Sequence, residues 1–358
     1  MLRGLVGSTP LLIDVSDYYT VVICIVYLVI GSASILFNIF NIYVFGWRKS
    51  LRKKYIVFIF LEAAEVVNGV AYIITGIGRL NAIVNGSLRT PITVEECFFT
   101  KPWPSIVLVG TQLPALVVIF ASIERTIAVH QPSNYFRYWN YGYKLKRLFL
   151  LLLVQMVSIC VAARSSLDLH SLNPTQHCTV ISSTHIAYCT AHFLFVVLAY
   201  VISFVTLLLI FNGRAGYKQV NSSHRRCHTI RRESNLKVFM MTSLMCIIFM
   251  SIPACASLLI RWNVVESNDI LLGISIVPPG LISIGTTMVN CIFLSDYRNN
   301  VMRIFCMARE KPTAARSLEC SELVFPEKGS PRIRSMTGER SGRSNSDFRL
   351  SENQEIML

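Results

Sequence analysis

Charge is what this chain has least of. Only 15% of its 358 residues are Asp, Glu, Lys or Arg, while 53% are hydrophobic; soluble globular domains carry about a quarter charged residues. The shortage is uneven. Runs such as Tyr18–Phe45 and His185–Phe211 contain almost no ionisable side chain. Each reaches the roughly 20 residues that an apolar helix needs to cross a bilayer. A water-soluble globular fold is thereby excluded. The sequence also lacks any grouping that suggests nucleophilic or metal catalysis, so no enzyme and no cofactor is expected. No convincing repeat relates its two halves, unlike many transporters. Residues 1–17 lack a long apolar core bounded by small residues, so no cleavable leader is expected there and the first span is expected to direct its own insertion. Eleven cysteines do not make a disulfide framework: Cys24, Cys160, Cys246, Cys255 and Cys291 lie inside apolar runs, where cysteine acts as a small hydrophobe.

What is present is a ladder of spans. The apolar pattern predicts seven, over 18–46, 55–80, 104–130, 146–167, 183–212, 236–261 and 269–295. The fold expected is an all-α seven-helix membrane bundle. The net charge of +14 sits in short loops between spans, which argues for membrane orientation and against a nucleic-acid partner. Alternate loops hold sixteen Lys and Arg against six on the other side. That asymmetry predicts a cytoplasmic face for the first set, an extracellular N-terminus (1–17) and a cytoplasmic C-terminus in the plasma membrane. Asn85-Gly86-Ser87 is then an accessible glycosylation sequon, whereas Asn221-Ser222-Ser223 faces the cytoplasm. Residues 307–358, rich in Ser, Arg and Glu, are expected to form a disordered tail open to phosphorylation.

The third span ends in Glu124-Arg125-Thr126-Ile127-Ala128-Val129-His130-Gln131-Pro132-Ser133-Asn134-Tyr135. This resembles the signature of rhodopsin-like G-protein-coupled receptors: an acid, then Arg, then Ala-Val, Pro and Tyr at fixed offsets. The resemblance implies that Glu124 and Arg125 form the coupling switch with Pro132 and Tyr135. In that scheme Arg125 pairs with the neighbouring carboxylate at rest and meets a heterotrimeric G protein when the sixth span moves outward. The bland alternative is a juxtamembrane Arg reaching for lipid headgroups.

Other landmarks fit the same family. Asn38, Glu65 and Asn290 fall where it keeps a polar core, and Leu61-Glu62-Ala63-Ala64-Glu65 resembles its Leu-Ala-x-Ala-Asp. Carboxylates inside a bilayer are expensive and usually functional, so Glu65 is expected as a hub of the switch. Glu62, Glu65 and Asn68 share one helix face, either as a hydrogen-bond seam or as part of that switch. The resemblance implies a Cys97–Cys178 disulfide, and Pro253 is expected to kink the sixth span. There are departures: Ser251 stands at the aromatic toggle, and Asn290-Cys291-Ile292-Phe293-Leu294 lacks the family's Pro and Tyr. The fourth span lacks its usual Trp, and Pro114 sits near the hydroxyl position of the sodium site, so no metal is expected. Residues 296–306 look like the family's amphipathic eighth helix lying on lipid, with Cys306 either palmitoylated or unmodified. Together with Ser295-Asp296-Tyr297-Arg298 and the surroundings of Pro132, these features are similar to the nematode serpentine chemoreceptors, with class sx as one branch they suggest.

Val107 occupies the place where amine receptors carry an Asp, and the seventh span has no Lys for a retinal Schiff base. The expected pocket draws on Val107, Gln112, His185, Tyr188 and His192, for a small organic molecule or short peptide. The family further implies arrestin and kinases acting on the tail. A seven-helix transporter or channel, with Glu62 and Glu65 on an ion path, and a non-signalling receptor-like scaffold remain the alternatives.

Overall fold

Long uncharged runs have no water to satisfy their backbone inside a bilayer, so they fold as helices that bond internally. The computed structural model describes residues 15–217, 226–265, 273 and 277–306. The main helices are α1 (Val15–Gly46), α3 (Ile56–Val84), α5 (Trp103–His130), α7 (Tyr141–Ser166) and α9 (Ile186–Tyr217). The sixth span is α10 (Arg226–Cys246), a π-helical turn (Ile247–Ser251) and α11 (Ile252–Arg261). The seventh runs over Val277–Phe293, with α12 (Ile282–Phe293) as its regular part. Among the described residues, six helices are long and apolar enough to cross a membrane. The seventh run is followed, after a 99° bend, by α13 (Ser295–Cys306). That bend delivers the amphipathic eighth helix expected from the sequence.

Short elements join the spans: α2 (Lys49–Lys54), α4 (Val94–Thr100), α6 (Pro132–Tyr138), α8 (Val180–Ser183) and strands β1 (Ile92–Thr93) and β2 (Leu172–Asn173). The strands pair antiparallel, Ile92 opposite Asn173. None of these short elements shows in the apolar pattern, because each is too short to display a period; β1 with β2, and α4 with α8, also depend on contacts between distant loops. Around the bundle α1 packs on α3, α3 on α5, α5 on α9, and α9 on the sixth span; α10 meets α12, which returns to α1. The outer face of α7 presents Leu150, Leu153, Val157 and Val161, a surface suited to lipid. Residues 1–14 of the expected N-terminal segment (1–17), Asn221 and the tail lie outside the described residues, as does the side chain of Cys306.

Two features set the helix spacing. Pro253 has no N–H and its ring crowds the carbonyl four residues back; the π-helical turn immediately before it widens the helix and absorbs that conflict. The expected consequence of Pro253 therefore takes the form of a π turn. Close crossings depend on glycine, as membrane helices often do. A methyl on Gly110 would stand 2.8 Å from the Asn68 Cα, and one on Gly31 would stand 2.8 Å from the Gly69 carbonyl oxygen. Both obstacles are backbone and cannot rotate away. Gly110→Val is expected to cost about 1–3 kcal/mol, the usual range for overpacking, and to lower the thermal stability of purified protein. Gly46→Ala, with nothing within 4 Å of the added atom, should leave it unchanged.

Candidate functional site: a cavity joined to an arginine by a polar seam

One end of the bundle carries the disulfide. Cys97, on α4, and Cys178 have their sulfurs 2.07 Å apart. This pairing leaves Cys189 as a buried free thiol on α9. The bond draws the segment around Cys178 over the bundle, and further contacts hold it there. Trp103 Nε1 and Arg79 Nε both donate to the His177 carbonyl, each at 3.1 Å, and Gln176 N donates to the Leu88 carbonyl at 2.7 Å.

Beneath this segment lies a cavity of about 70 Å³. One water takes roughly 10–15 Å³ of such space, so the void suits one small molecule. Its walls come from six spans and the covering segment: Tyr27 and Tyr72; Asn68, Thr75 and Arg79; Trp103, Val107 and Thr111; Val180 and Ile181; His192, Phe193 and Val196; Met250, Pro253, Ala254 and Ser257; and Pro279. Most of this surface is apolar. Thr111 Oγ1 and His192 Nε2 are 3.2 Å apart, while His192 Nδ1 is buried without a partner.

Of the five residues expected in the pocket, Val107 and His192 line it. The other three are turned elsewhere. Gln112 follows Thr111 by one position, about 100° around the helix, and its Oε1 accepts from Ser158 Oγ on α7 at 2.8 Å. Tyr188 Oη lies 2.9 Å from that same Ser158 hydroxyl. His185 precedes α9 and is exposed, so it does not converge with Cys189 and His192. Among the described residues no three metal-ligating side chains stand together. Arg79 counted only as a cation of the side opposite the basic loops, although it falls inside the expected span 55–80; α3 runs on to Val84 and carries it buried in the bundle.

From the cavity floor a polar seam descends along α3. Asn68, which lines the cavity, donates to Glu65 Oε2 at 3.2 Å. One turn on, Glu62 Oε2 accepts from Asn41 Nδ2 at 3.0 Å. Asn41 also donates to Thr287 Oγ1 at 2.9 Å and accepts from the Tyr297 hydroxyl. Asn38 donates instead to Ser34 and Ser283, at 3.2 and 2.9 Å. The expected trio of Asn38, Glu65 and Asn290 is therefore not one network. Asn290 is buried without a hydrogen bond of regular geometry, although its side chain reaches toward the Glu62 carboxylate; Glu62 with Asn41 does the joining. The reason is register: Asn41 lies three residues past Asn38 on the same face of α1, where the α12–α13 bend brings Tyr297 into reach.

At the far end, Glu124 and Arg125 part company. Glu124 is 1% exposed; its Oε1 lies 2.6 Å from Lys144 Nζ and accepts from the Tyr135 hydroxyl at 2.9 Å. Lys144 also donates to Tyr135 Oη at 3.1 Å, closing a triangle between α5, α6 and α7. Pro132 opens α6, the turn that carries Tyr135 to Glu124. Arg125 lies over the Phe239 ring of α10, 4.7 Å from its centroid. The expected resting pair of Arg125 with Glu124 is not formed, because consecutive helix residues point to different faces. Lys144, legible only as a loop cation, takes the carboxylate. Phe239 in turn packs tilted against Phe58, their ring centroids 4.2 Å apart; Phe58 meets Phe45, and Phe45 meets Tyr297. Aromatic contacts thus complete the path from the polar seam to Arg125.

A comparison with curated proteins gives no match. Residues 105–272 match the family model described as serpentine type 7TM GPCR chemoreceptor Srv, a branch other than the class sx suggested by sequence pattern. The matched stretch, just under half of the chain, runs from α5 through the sixth span and includes the Arg125 motif. With the spans, the covered cavity and the match together, the chain is a seven-transmembrane, GPCR-like chemosensory receptor that resembles the nematode serpentine chemoreceptors.

Proposed function

We propose that this receptor binds a small organic molecule in the disulfide-end cavity and activates a heterotrimeric G protein through the Arg125 end. The observation that carries the reading is the continuity of the Asn68–Glu65–Glu62–Asn41–Tyr297 column with the aromatic contacts that reach Phe239 and Arg125. The column is a row of buried groups between two ends of a bundle, Glu65 and Glu62 being one turn apart on α3, with α10 at its terminus. Ligand that shifts α11 at Met250, Pro253 and Ala254 acts on the same span that holds Phe239. Outward movement of α10 then uncovers Arg125 for the G protein. In this reading Glu124, Tyr135 and Lys144 hold the α5–α6–α7 corner still while α10 moves. The cavity volume favours a small organic ligand over a peptide.

The orientation that this function needs is Arg125 facing the cytoplasm and the disulfide facing outward, in the plasma membrane, where an oxidising exterior preserves the Cys97–Cys178 bond. The basic residues of α2, α6 and the start of α7 (Lys144, Lys146 and Arg147) then lie on the cytoplasmic side, and α13 rests on the inner leaflet. Arrestin and receptor kinases would act from that side too. A transporter would also place Glu62 and Glu65 along its axis, but both are held by asparagine side chains here.

Arg125→Ala is expected to abolish ligand-stimulated signalling in reporter cells while surface expression stays near the unaltered level; normal coupling by that variant would contradict the mechanism. Asn85 is exposed at the end of α3, on the disulfide side. Enzymatic deglycosylation should increase the gel mobility of the unaltered chain and leave Asn85→Gln unchanged. A glycan at Asn221 instead would invert the orientation.

A further inference from the structure

Arg79 is the sole Lys, Arg, Asp or Glu among the described residues lining the cavity. It is 4% exposed. A guanidinium keeps its charge under any condition a protein meets and presents five N–H donors. Here Nε donates to the His177 carbonyl at 3.1 Å, and the guanidinium carbon lies 5.9 Å from the centroid of the Tyr27 ring. Among the described residues no carboxylate forms an ion pair with it. A buried cation without an anion is costly, because neither a carbonyl nor an aromatic face restores what water supplied. Structural arginines in such places acquire a carboxylate from a neighbouring element, as Lys144 does at the other end of this bundle.

The remaining walls sharpen the inference. Trp103, Val107, Phe193, Val196 and Met250 are apolar and suit a hydrocarbon or ring. The volume, about 70 Å³, limits that body to a few carbons or one ring. The planar fork of a guanidinium matches the two oxygens of a carboxylate.

We propose that the cavity takes a small monocarboxylic acid, ionised, with its carboxylate paired to Arg79 and its apolar body against Trp103, Val107, Phe193, Val196 and Met250. This rests on the reading of the cavity as the receptor's ligand site. It makes Arg79 a specificity determinant that tells an acid from its neutral analogue, since a neutral amide would leave the cation unpaired.

The test uses the purified full chain in detergent, with its thermal unfolding midpoint followed at constant ionic strength. The probes are hexanoate, benzoate and phenylacetate, each compared with its own primary amide. At least one acid should raise the midpoint in a saturable way, and its amide should not. Arg79→Gln should weaken that acid's apparent affinity by about thirty-fold or more, as removal of one partner of a buried charge pair does. Arg79→Lys should retain part of it. Amides that stabilise as well as acids, acids that act equally on Arg79→Gln, or no shift with any of the three acids would each overturn the proposal. Should Arg79→Gln fail to fold, the contrast of acid with amide in the unaltered chain decides alone. The receptor reading fails separately: acid-selective stabilisation without any G-protein nucleotide exchange sinks that reading and leaves the anion site. Exchange driven only by neutral compounds does the reverse.

Discussion

A carboxylate in the middle of a bilayer must find hydrogen-bond donors within the protein, because the surrounding hydrocarbon offers none. Glu62 meets this constraint through Asn41, and Asn41 in turn engages Thr287 and Tyr297. Four parts of the chain, α1, α3, the seventh span and α13, are thereby held at one point. The bend that brings Tyr297 inward is supported on its outer side by Lys54 and Tyr55, which both reach Asp296, at 3.0 and 3.1 Å. Membrane hydrogen bonds are individually modest, averaging about 0.6 kcal/mol in measured cases. Their value here lies in being shared: moving any one of the four elements unsettles the partners of the others.

In the proposed mechanism this arrangement separates a stationary from a mobile part of the bundle. The α5–α6–α7 corner is closed by an ion pair and two hydrogen bonds around Glu124. The α10 contact with Arg125 is a ring face under a guanidinium, worth about 0.5–2 kcal/mol. Breaking the second costs less than breaking the first, since disrupting a buried charge pair costs about 3–5 kcal/mol. The sixth span is also the one interrupted by a π turn, next to the cavity-lining Met250 and Pro253. A ligand that presses there works against the weakest of the contacts around Arg125.

The spans were legible because hydrocarbon imposes one requirement on every residue of a crossing helix, and runs without charge record it. The Arg125 motif was legible for a local reason, its fixed spacing within one helix end. What the sequence concealed was direction. Gln112 and Thr111 are neighbours of similar polarity, and only helix phase decides that one faces α7 and the other faces the cavity. Lys144 reads as one more loop cation until α6 folds back and places Tyr135 and Glu124 beside it. Arg79 likewise counted as an edge cation, because it stands at the very end of its expected span and only the helix running on to Val84 shows it buried. Asn41 went unremarked beside Asn38, although a spacing of three on a buried face was the available signal. The Cys97–Cys178 pairing followed from family resemblance and not from any feature of its two loops.

The central claim is that the bundle transmits through movement of α10 away from Arg125 rather than by opening a path for solute. Phe239→Ala removes the contact without touching Arg125, the cavity or the polar seam. The most direct measurement places the unaltered chain and this variant in liposomes with purified G-protein trimers, following nucleotide exchange and proton or sodium flux in the same vesicles. The account predicts a few-fold to about thirty-fold faster basal exchange with the variant, the range that a lost contact of 0.5–2 kcal/mol allows, and no flux above that of empty vesicles. Exchange no faster than in empty vesicles for both proteins, with protons or sodium crossing, would contradict it.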